Sequence, residues 1–445
     1  MLSVALSLLL LVSGSLQADL QQAVARAGID RTGLGVMVGP AGGGATLAIG
    51  RDTPRTPASN QKILTAALAL HTLGADFRFR TIFARGPEGS LVVVGDGDPN
   101  MSGRFFDDDP NAVLRAFARD LKKEGVTALP GGILLDATRF DDQFIHPDWP
   151  ADQLDRWYSA PVAALVFNDS CWDFKVLPTA QPGGRPTLDL QPSLIKPKVT
   201  MRCRTVGAGS RRGVKVLHDG EGGLVVQGNV IAGSAGEGGH LAVEDPVVFF
   251  GRALRAALIA EGIEVGGKVR RGHVEDAEEL LVYRSTLRRS LRVMLTNSQN
   301  LYAECIFKRA GGGSFASADE SLRAALAEMK VPTGGLVVRD GSGLSAQNRV
   351  APATLFGVLQ ALRDQPAFIE SLPSGGTGTL RKRYKNLGER VRAKTGTING
   401  VKCLSGYVEG VRGKRYVFVV LANGRSVKNI RTLQDLIVQV LARQP

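Results

Sequence analysis

The sequence predicts an α/β chain whose main domain is assembled from both ends, with β-rich material inserted between them. Three observations carry this expectation. The two ends alternate helix-period and strand-period apolar patterns, whereas residues 171 to 240 are short β-like runs separated by Gly and Pro. The chain has 445 residues, too many for one simple core, so two or three domains are expected. A hydrophobic content of 44% and a charged content of 22% belong to an ordinary folded protein, not a disordered one.

The elements follow in order. Leu2 to Val12 is an apolar run of signal-peptide length, too short to span a bilayer, and small residues follow it. Residues 1 to 18 therefore read as an export signal ending at Ala18, although no Lys or Arg precedes the run; a buried N-terminal strand is the competing reading. Leu20 to Ala27 reads as a helix, the stretch from Gly33 to Val38 as a strand, and Ala45 to Ile49 as its hairpin partner. The run Ile63 to Leu73 places Ala66, Leu70 and Leu73 at helical spacing, so a buried helix begins near Ser59. Phe77 to Ala84 and Leu91 to Val94 are strand-like, and Gly95-Asp96-Gly97-Asp98-Pro99 is a turn. Ala112 to Lys123 is an amphipathic helix and Gly132 to Asp136 a strand; residues 139 to 160 are rich in Asp and aromatics. Pro246 to Glu261, Asp319 to Lys330 and Ala353 to Leu362 read as helices, and Asp340 to Ser345 as a tight turn. Val391 to Gly396, Val401 to Val408 and Tyr416 to Ala422 read as strands, and Thr432 to Arg443 as a closing helix.

The net charge of +13 favours anionic partners, either nucleic acid or an anionic surface such as a cell wall. The basic residues are scattered and no long basic run interleaves with aromatics, which argues against nucleic acid. Four cysteines in an exported chain allow three disulfide pairings. Cys171 and Cys203 flank one Gly/Pro-rich segment and are the preferred pair, with Cys305 and Cys403 as buried thiols. His71, His146, His218, His240 and His273 are isolated, so neither a metal site nor a cofactor is expected.

Chemistry enters with Ser59-Asn60-Gln61-Lys62. Ser59 and Lys62 are spaced by about one helical turn and share a face. The plain reading of a Ser at a helix start is an N-cap. A capping box would place Glu or Gln where Lys62 stands, and a cation in the first turn opposes the helix dipole. The other reading is a nucleophile, Ser59, with an amine base, Lys62, whose pKa is lowered by burial or nearby positive charge. Two later triplets support it: Ser298-Gln299-Asn300, and Lys394-Thr395-Gly396-Thr397 on an expected strand. Acyl transfer from a peptide needs a nucleophile, a base, an oxyanion site and a clamp for a carboxylate. Ser59 would attack and Lys62 take its proton. Ser298 would relay a proton to the leaving amine, and Asn300 would hold the substrate amide and the Lys62 amine. Lys394 would add positive charge, Thr395 and Thr397 would bind a terminal carboxylate, and Gly396 would let substrate lie against the strand edge. The N–H groups of Ser59 and Thr397 would form the oxyanion hole.

The ordered set Ser-x-x-Lys, Ser-x-Asn, Lys-Thr-Gly belongs to penicillin-binding proteins and serine β-lactamases. With Gly95 to Pro99, Tyr158 to Val162, Asn297 to Ala303 and Asp340 to Ser345, the chain closely resembles the class C low-molecular-mass penicillin-binding proteins, the penicillin-binding protein 4 type of D-alanyl-D-alanine carboxypeptidase and endopeptidase. The resemblance implies a serine β-lactamase/transpeptidase-like domain from residues 19–77 and 286–445. It also implies two β-rich inserted domains, 78–170 with 226–285, and 171–225. It implies an exported, periplasmic enzyme that cleaves D-Ala-D-Ala ends or cross-links of peptidoglycan stem peptides, with β-lactam antibiotics as covalent inhibitors. It further implies an acid near the diaminopimelate end of the substrate. Asp152, after Trp149-Pro150-Ala151, is the candidate, against a plain surface Asp. The alternatives are a serine β-lactamase, for which no Glu-x-x-Leu-Asn stretch is present, and a non-catalytic wall-binding scaffold. Tyr384-Lys385-Asn386 mimics a Tyr-x-Asn triplet, but Ser298 to Asn300 already fills that slot. Peripheral contact of the closing helix with a membrane or wall stays open, packing on the core sheet being the plainer reading.

Overall fold

The computed structural model describes residues 15–275 and 277–445. The expected export leader lies outside the described residues up to position 14, and Ser15 caps the first helix. The chain starts with α1 (Leu16–Ala27), β1 (Leu34–Pro40), β2 (Leu47–Ile49) and α2 (Gln61–Thr72). It leaves for a second unit through β3 (Arg78–Arg85), β4 (Leu91–Val94), α3 (Ala112–Lys123), β5 (Ala128–Leu129) and β6 (Ile133–Asp136). A third unit is built of β7 (Cys171–Leu177), β8 (Thr187–Gln191), β9 (Val199–Val206), β10 (Gly213–His218), β11 (Leu224–Ile231) and β12 (Glu237–Ala242). The chain returns through the second unit by α4 (Pro246–Ala260), β13 (Glu264–Val265), β14 (Val269–Arg271) and β15 (Glu278–Thr286). Five helices follow: α5 (Leu287–Thr296), α6 (Asn300–Ala310), α7 (Phe315–Glu328), α8 (Pro352–Ala361) and α9 (Pro366–Ile369). It closes with β16 (Val391–Ile398), β17 (Val401–Glu409), β18 (Arg415–Asn423) and α10 (Ile430–Ala442).

The main sheet has the order β16-β17-β18-β1-β2, so strands from the two chain ends lie side by side. Leu34 to Pro40 pairs antiparallel with Tyr416 to Ala422. Strand β18 shows why both faces are covered. Val417, Val419 and Leu421 pack with α2 and α5 to α8, whereas Phe418, Val420 and Ala422 pack with α1 and α10. Side chains alternate across a strand, so an unbroken apolar run means burial on both faces. Gly35 in β1 lets α8 approach, since a Cβ there would lie 2.6 Å from Pro352 Cγ.

The second unit holds a five-stranded sheet, β14-β6-β4-β3-β15, with α3 and α4 in its core. Strand β15 has no counterpart in the sequence expectations. Adjacent Leu280 and Leu281 break its alternation, and the register with β3 shifts between Glu279 and Leu281.

The third unit contains two three-stranded sheets, β12-β7-β8 and β10-β11-β9. Strand β11 pairs with β9 and β12 with β7, so the two sheets draw on residues 171–242, beyond the expected 171–225 segment. Its two ends meet where Val243 N–H donates to the Ser170 carbonyl at 2.9 Å. One apolar cluster runs through both inserted units, with Trp172 edge-on to Phe249 at 4.9 Å. The preferred disulfide does not form. Cys171 in β7 and Cys203 in β9 belong to different sheets, and all four cysteines are buried free thiols.

Candidate active site

Ser59 sits in a single 3-10 turn, Ala58–Asn60, at the head of α2. It is half-buried and makes no capping bond, so the N-cap reading fails. The turn is strained: Ala58 has a φ of +46°, in the left-handed region that side chains avoid. Gly343, in the Asp340 to Ser345 turn, packs against it. A Cβ on Gly343 would lie 1.9 Å from the Ala58 carbonyl oxygen, and its φ of +82° also suits only glycine.

Lys62 is fully buried, and its amine has three neighbours. They are Ser59 Oγ at 3.1 Å, Asn300 Oδ1 at 2.7 Å and the Ser342 carbonyl at 2.8 Å. The last two can only accept. The Asn300 amide is not free to turn round, because Nδ2 donates to the Tyr158 carbonyl at 2.7 Å, which also can only accept. A neutral amine therefore spends both hydrogens on Asn300 and Ser342 and aims its lone pair at Ser59. Burial lowers the Lys62 pKa to about 7, against the opposing pull of Glu304 and Asp340.

Lys394, on β16, is also buried, and burial with the neighbouring Lys62 charge holds its pKa well below the usual lysine range. Its Nζ donates to Ser298 Oγ and to the Thr395 carbonyl, both at 2.8 Å. Ser298 has a φ of +63°, a second strained residue at the site. Strand β16 is the sheet edge, and Asn60 Nδ2 donates to the Lys394 carbonyl, docking that edge against the Ser59 turn. Gly396 serves this docking. A Cβ there would lie 2.8 Å from the Pro57 carbonyl oxygen, so the missing side chain faces protein and not an open edge. Thr397 is exposed and Thr395 half-buried.

Two motifs read in the sequence as turns hold this geometry. Asp340 Oδ2 accepts from Ser345 N–H and Trp149 Nε1, and Oδ1 accepts from Gly343 N–H and Asn348 Nδ2. That fixes the turn beside Lys62 and ties it to the second unit. The Gly95 to Pro99 loop anchors both helices that flank Ser298. Asp96 pairs with Arg309 on α6 at 2.5 Å. Asp98 accepts from Asn100 Nδ2, which also lies 2.7 Å from Ser290 Oγ on α5.

Seven of the nine expected residues, Ser59, Lys62, Ser298, Asn300, Lys394, Thr395 and Gly396, form one connected cluster through these contacts. Thr397 follows on the same strand. Asp152 does not join it: it is exposed, in a 3-10 turn, with no hydrogen bond or ion pair among the described residues. Its neighbour Gln153 is closer in connection, accepting from Tyr158 Oη at 3.0 Å. Tyr384 packs with the α1/α10 cluster, on the other sheet face from α2, so its triplet is a coincidence. The carbonyls of Tyr158 and Ser342 could not be read from side-chain types, because backbone acceptors leave no mark in a sequence. Buried Glu304 could have been noticed as an acid one turn beyond Asn300, between the apolar residues Ala303 and Ile306. No cluster of metal-ligating side chains occurs among the described residues.

The profile of the D-Ala-D-Ala carboxypeptidase 3 (S13) family matches residues 16–444. A D-alanyl-D-alanine carboxypeptidase of Actinomadura sp. (strain R39) is 32% identical over 422 residues, covering 87% of this chain and 76% of the relative. The D-alanyl-D-alanine carboxypeptidase DacB of Haemophilus influenzae is 26% identical over 401 residues, covering 84% of this chain and 82% of its own. The crystal structure of penicillin binding protein 4 from Haemophilus influenzae superposes with a TM-score of 0.81 at 24% identity, covering 96% of this chain and 99% of that one. A second structure of that protein, complexed with a β-lactam, gives a TM-score of 0.76 at 23% identity over the same shares.

Proposed function

We propose that this chain, which belongs to the D-Ala-D-Ala carboxypeptidase 3 (S13) family, forms an acyl-enzyme on Ser59 as it cleaves D-alanyl-D-alanine bonds. It is a serine-type DD-carboxypeptidase acting on peptidoglycan. The observation that supports Ser59 and Lys62 in their roles is the amine geometry: two acceptor-only neighbours leave the Lys62 lone pair facing Ser59 Oγ at 3.1 Å.

In this reading neutral Lys62 takes the Ser59 proton as Oγ attacks the carbonyl of the penultimate D-Ala. The oxyanion is met by the N–H groups of Ser59 and Thr397. The C–N bond then breaks, and the leaving amine receives a proton through Ser298, which Lys394 contacts. Water next attacks the ester, releasing the shortened peptide and Ser59. Thr395 and Thr397, neither with an internal side-chain hydrogen bond among the described residues, would receive the terminal carboxylate. Exposed Asp152 stays a candidate for the cationic end of a stem-peptide side chain, but no contact supports it. Endopeptidase cleavage of cross-links would use the same acyl-enzyme chemistry.

β-Lactams are read as covalent inhibitors, in line with the β-lactam complex of the Haemophilus protein. An exported, periplasmic location fits the apolar run Leu2 to Val12 and a substrate outside the cell. No described helix is long and apolar enough to cross a membrane.

The deciding experiment is intact mass after incubation with benzylpenicillin, for wild type and Ser59→Ala. One stable adduct in wild type, lost in the variant, is expected, with D-Ala release from pentapeptide lost in parallel. An adduct that survives in the variant sinks the assignment of Ser59.

A further inference from the structure

Glu304 stands one turn after Asn300 on α6, at 0% exposure. Its carboxylate spans the peptide that carries Ser342. Oε2 accepts from Gly341 N–H at 2.7 Å, and Oε1 accepts from Ser342 N–H at 2.8 Å. The Ser342 carbonyl is one of the two acceptors that orient the Lys62 amine. From below, Thr65 Oγ1 on α2 donates to the Gly341 carbonyl at 2.6 Å. This turn contains Gly341 and Gly343, so its backbone has little stiffness of its own. Helix α6 thus reaches the amine twice: directly by Asn300, and one turn later through Glu304 and the Ser342 peptide.

A buried carboxylate is an expensive way to hold two N–H groups, since an uncharged acceptor avoids the desolvation of a charge. Its position beside the amine gives that charge a use. We propose that Glu304 is a positioning residue for acyl transfer: by gripping the Gly341–Ser342 peptide it sets the Ser342 carbonyl that turns the Lys62 lone pair toward Ser59. The inference rests on Lys62 being the base.

The charge has a second effect. The groups facing Lys62 are Glu304 from α6, Asp340 from the turn and Lys394 from β16. Glu304 is the larger of the two acidic influences, and it makes the amine a stronger proton acceptor than burial alone would leave it. Burial, then Asp340, raise the Glu304 pKa in return, against its two N–H bonds and the Lys62 charge, both of which favour the carboxylate.

The test is the pH profile of acylation by a fluorescent penicillin, for wild type, Glu304→Gln, Glu304→Asp and Lys62→Ala. The Gln amide keeps one acceptor but sets an NH2 against the other N–H, so the plateau rate falls roughly tenfold to a hundredfold. With the charge gone, the midpoint of the acid limb moves down by about one pH unit. Glu304→Asp keeps the charge but draws the carboxylate back, so its midpoint stays while its plateau falls. A residue that is only structural would lower the plateau and the melting temperature and leave every midpoint alone. Coincident midpoints for wild type and Glu304→Gln therefore overturn the proposal. Should the Gln variant not fold, a Glu304→Asp plateau equal to wild type overturns it. Lys62→Ala separates the two readings, since a near-normal rate there removes the base itself and not only its support.

Discussion

Asn300 Nδ2 donates to the Tyr158 carbonyl at 2.7 Å, and this bond decides which end of the amide meets Lys62. Tyr158 comes from the loop of the second unit and Asn300 from the first turn of α6. The inserted unit therefore orients the Asn300 amide that meets Lys62 in the main domain.

Asn300→Asp follows directly. The variant sets a carboxylate oxygen against the Tyr158 carbonyl and a second charge against Lys62. Two acceptors cannot share that contact, and the charge keeps the amine protonated. Acylation at neutral pH should fall by about 10²-fold, measured by penicillin labelling. A wild-type rate would show that the orientation of the amide does not matter.

Lys62→Arg keeps the charge on a somewhat longer side chain but cannot lose its proton in a protein. If Lys62 acts only by charge, the variant should label well. As a base it should lose about 10²- to 10⁴-fold in acylation rate, like Lys62→Ala. Stopped-flow labelling of the two variants distinguishes these outcomes.

The acid side of the pH profile has a definite sign. Burial lowers the Lys62 pKa to about 7, and the base must be neutral. Its neutral fraction rises about tenfold per pH unit below that value and levels off above it. Acylation should therefore climb with slope near one up to about pH 7 and then flatten. A rate that is flat from pH 5.5 to 8, in about those limits, would remove Lys62 as the titrating group.

Gly343→Ala tests the strained turn. Its Cβ would enter the Ala58 carbonyl at 1.9 Å, so the Ser59 turn must shift. Stability should drop by about 1–3 kcal/mol, and acylation should drop by more than the loss of folded protein explains. Thermal melting alongside active-site titration separates the two effects.

The cysteines give a covalent test of the inserted units. All four are buried free thiols. Burial raises the Cys171, Cys305 and Cys403 thiols above the usual range, so the native protein should resist alkylation. Unfolded without reductant, it should take up iodoacetamide at all four. Two unreactive sulfurs in the unfolded chain, mapped by peptide mass to Cys171 and Cys203, would restore that bridge.

The residues proposed for the reaction stand out in the sequence because each is a side-chain type with a fixed local spacing. Ser59 and Lys62 share a face by helix geometry alone, and Lys394 to Thr397 lie on a strand legible from its apolar alternation. The main sheet was legible for the same reason: β18 is a continuous apolar run, which only a doubly covered strand can be. What the chain order could not reveal was partnership across distance. The Tyr158 and Ser342 carbonyls are backbone groups common to every residue, and folding alone brings them to the Lys62 amine. The contact of Glu304 with the turn it grips, the pairing of β12 with β7, and the placing of Cys171 and Cys203 in different sheets also depend on folding. Local pattern fixes periodicity and residue chemistry. Which buried acceptor meets which donor is settled by packing between segments far apart in the chain, because only there does water leave and make an unpartnered polar group costly.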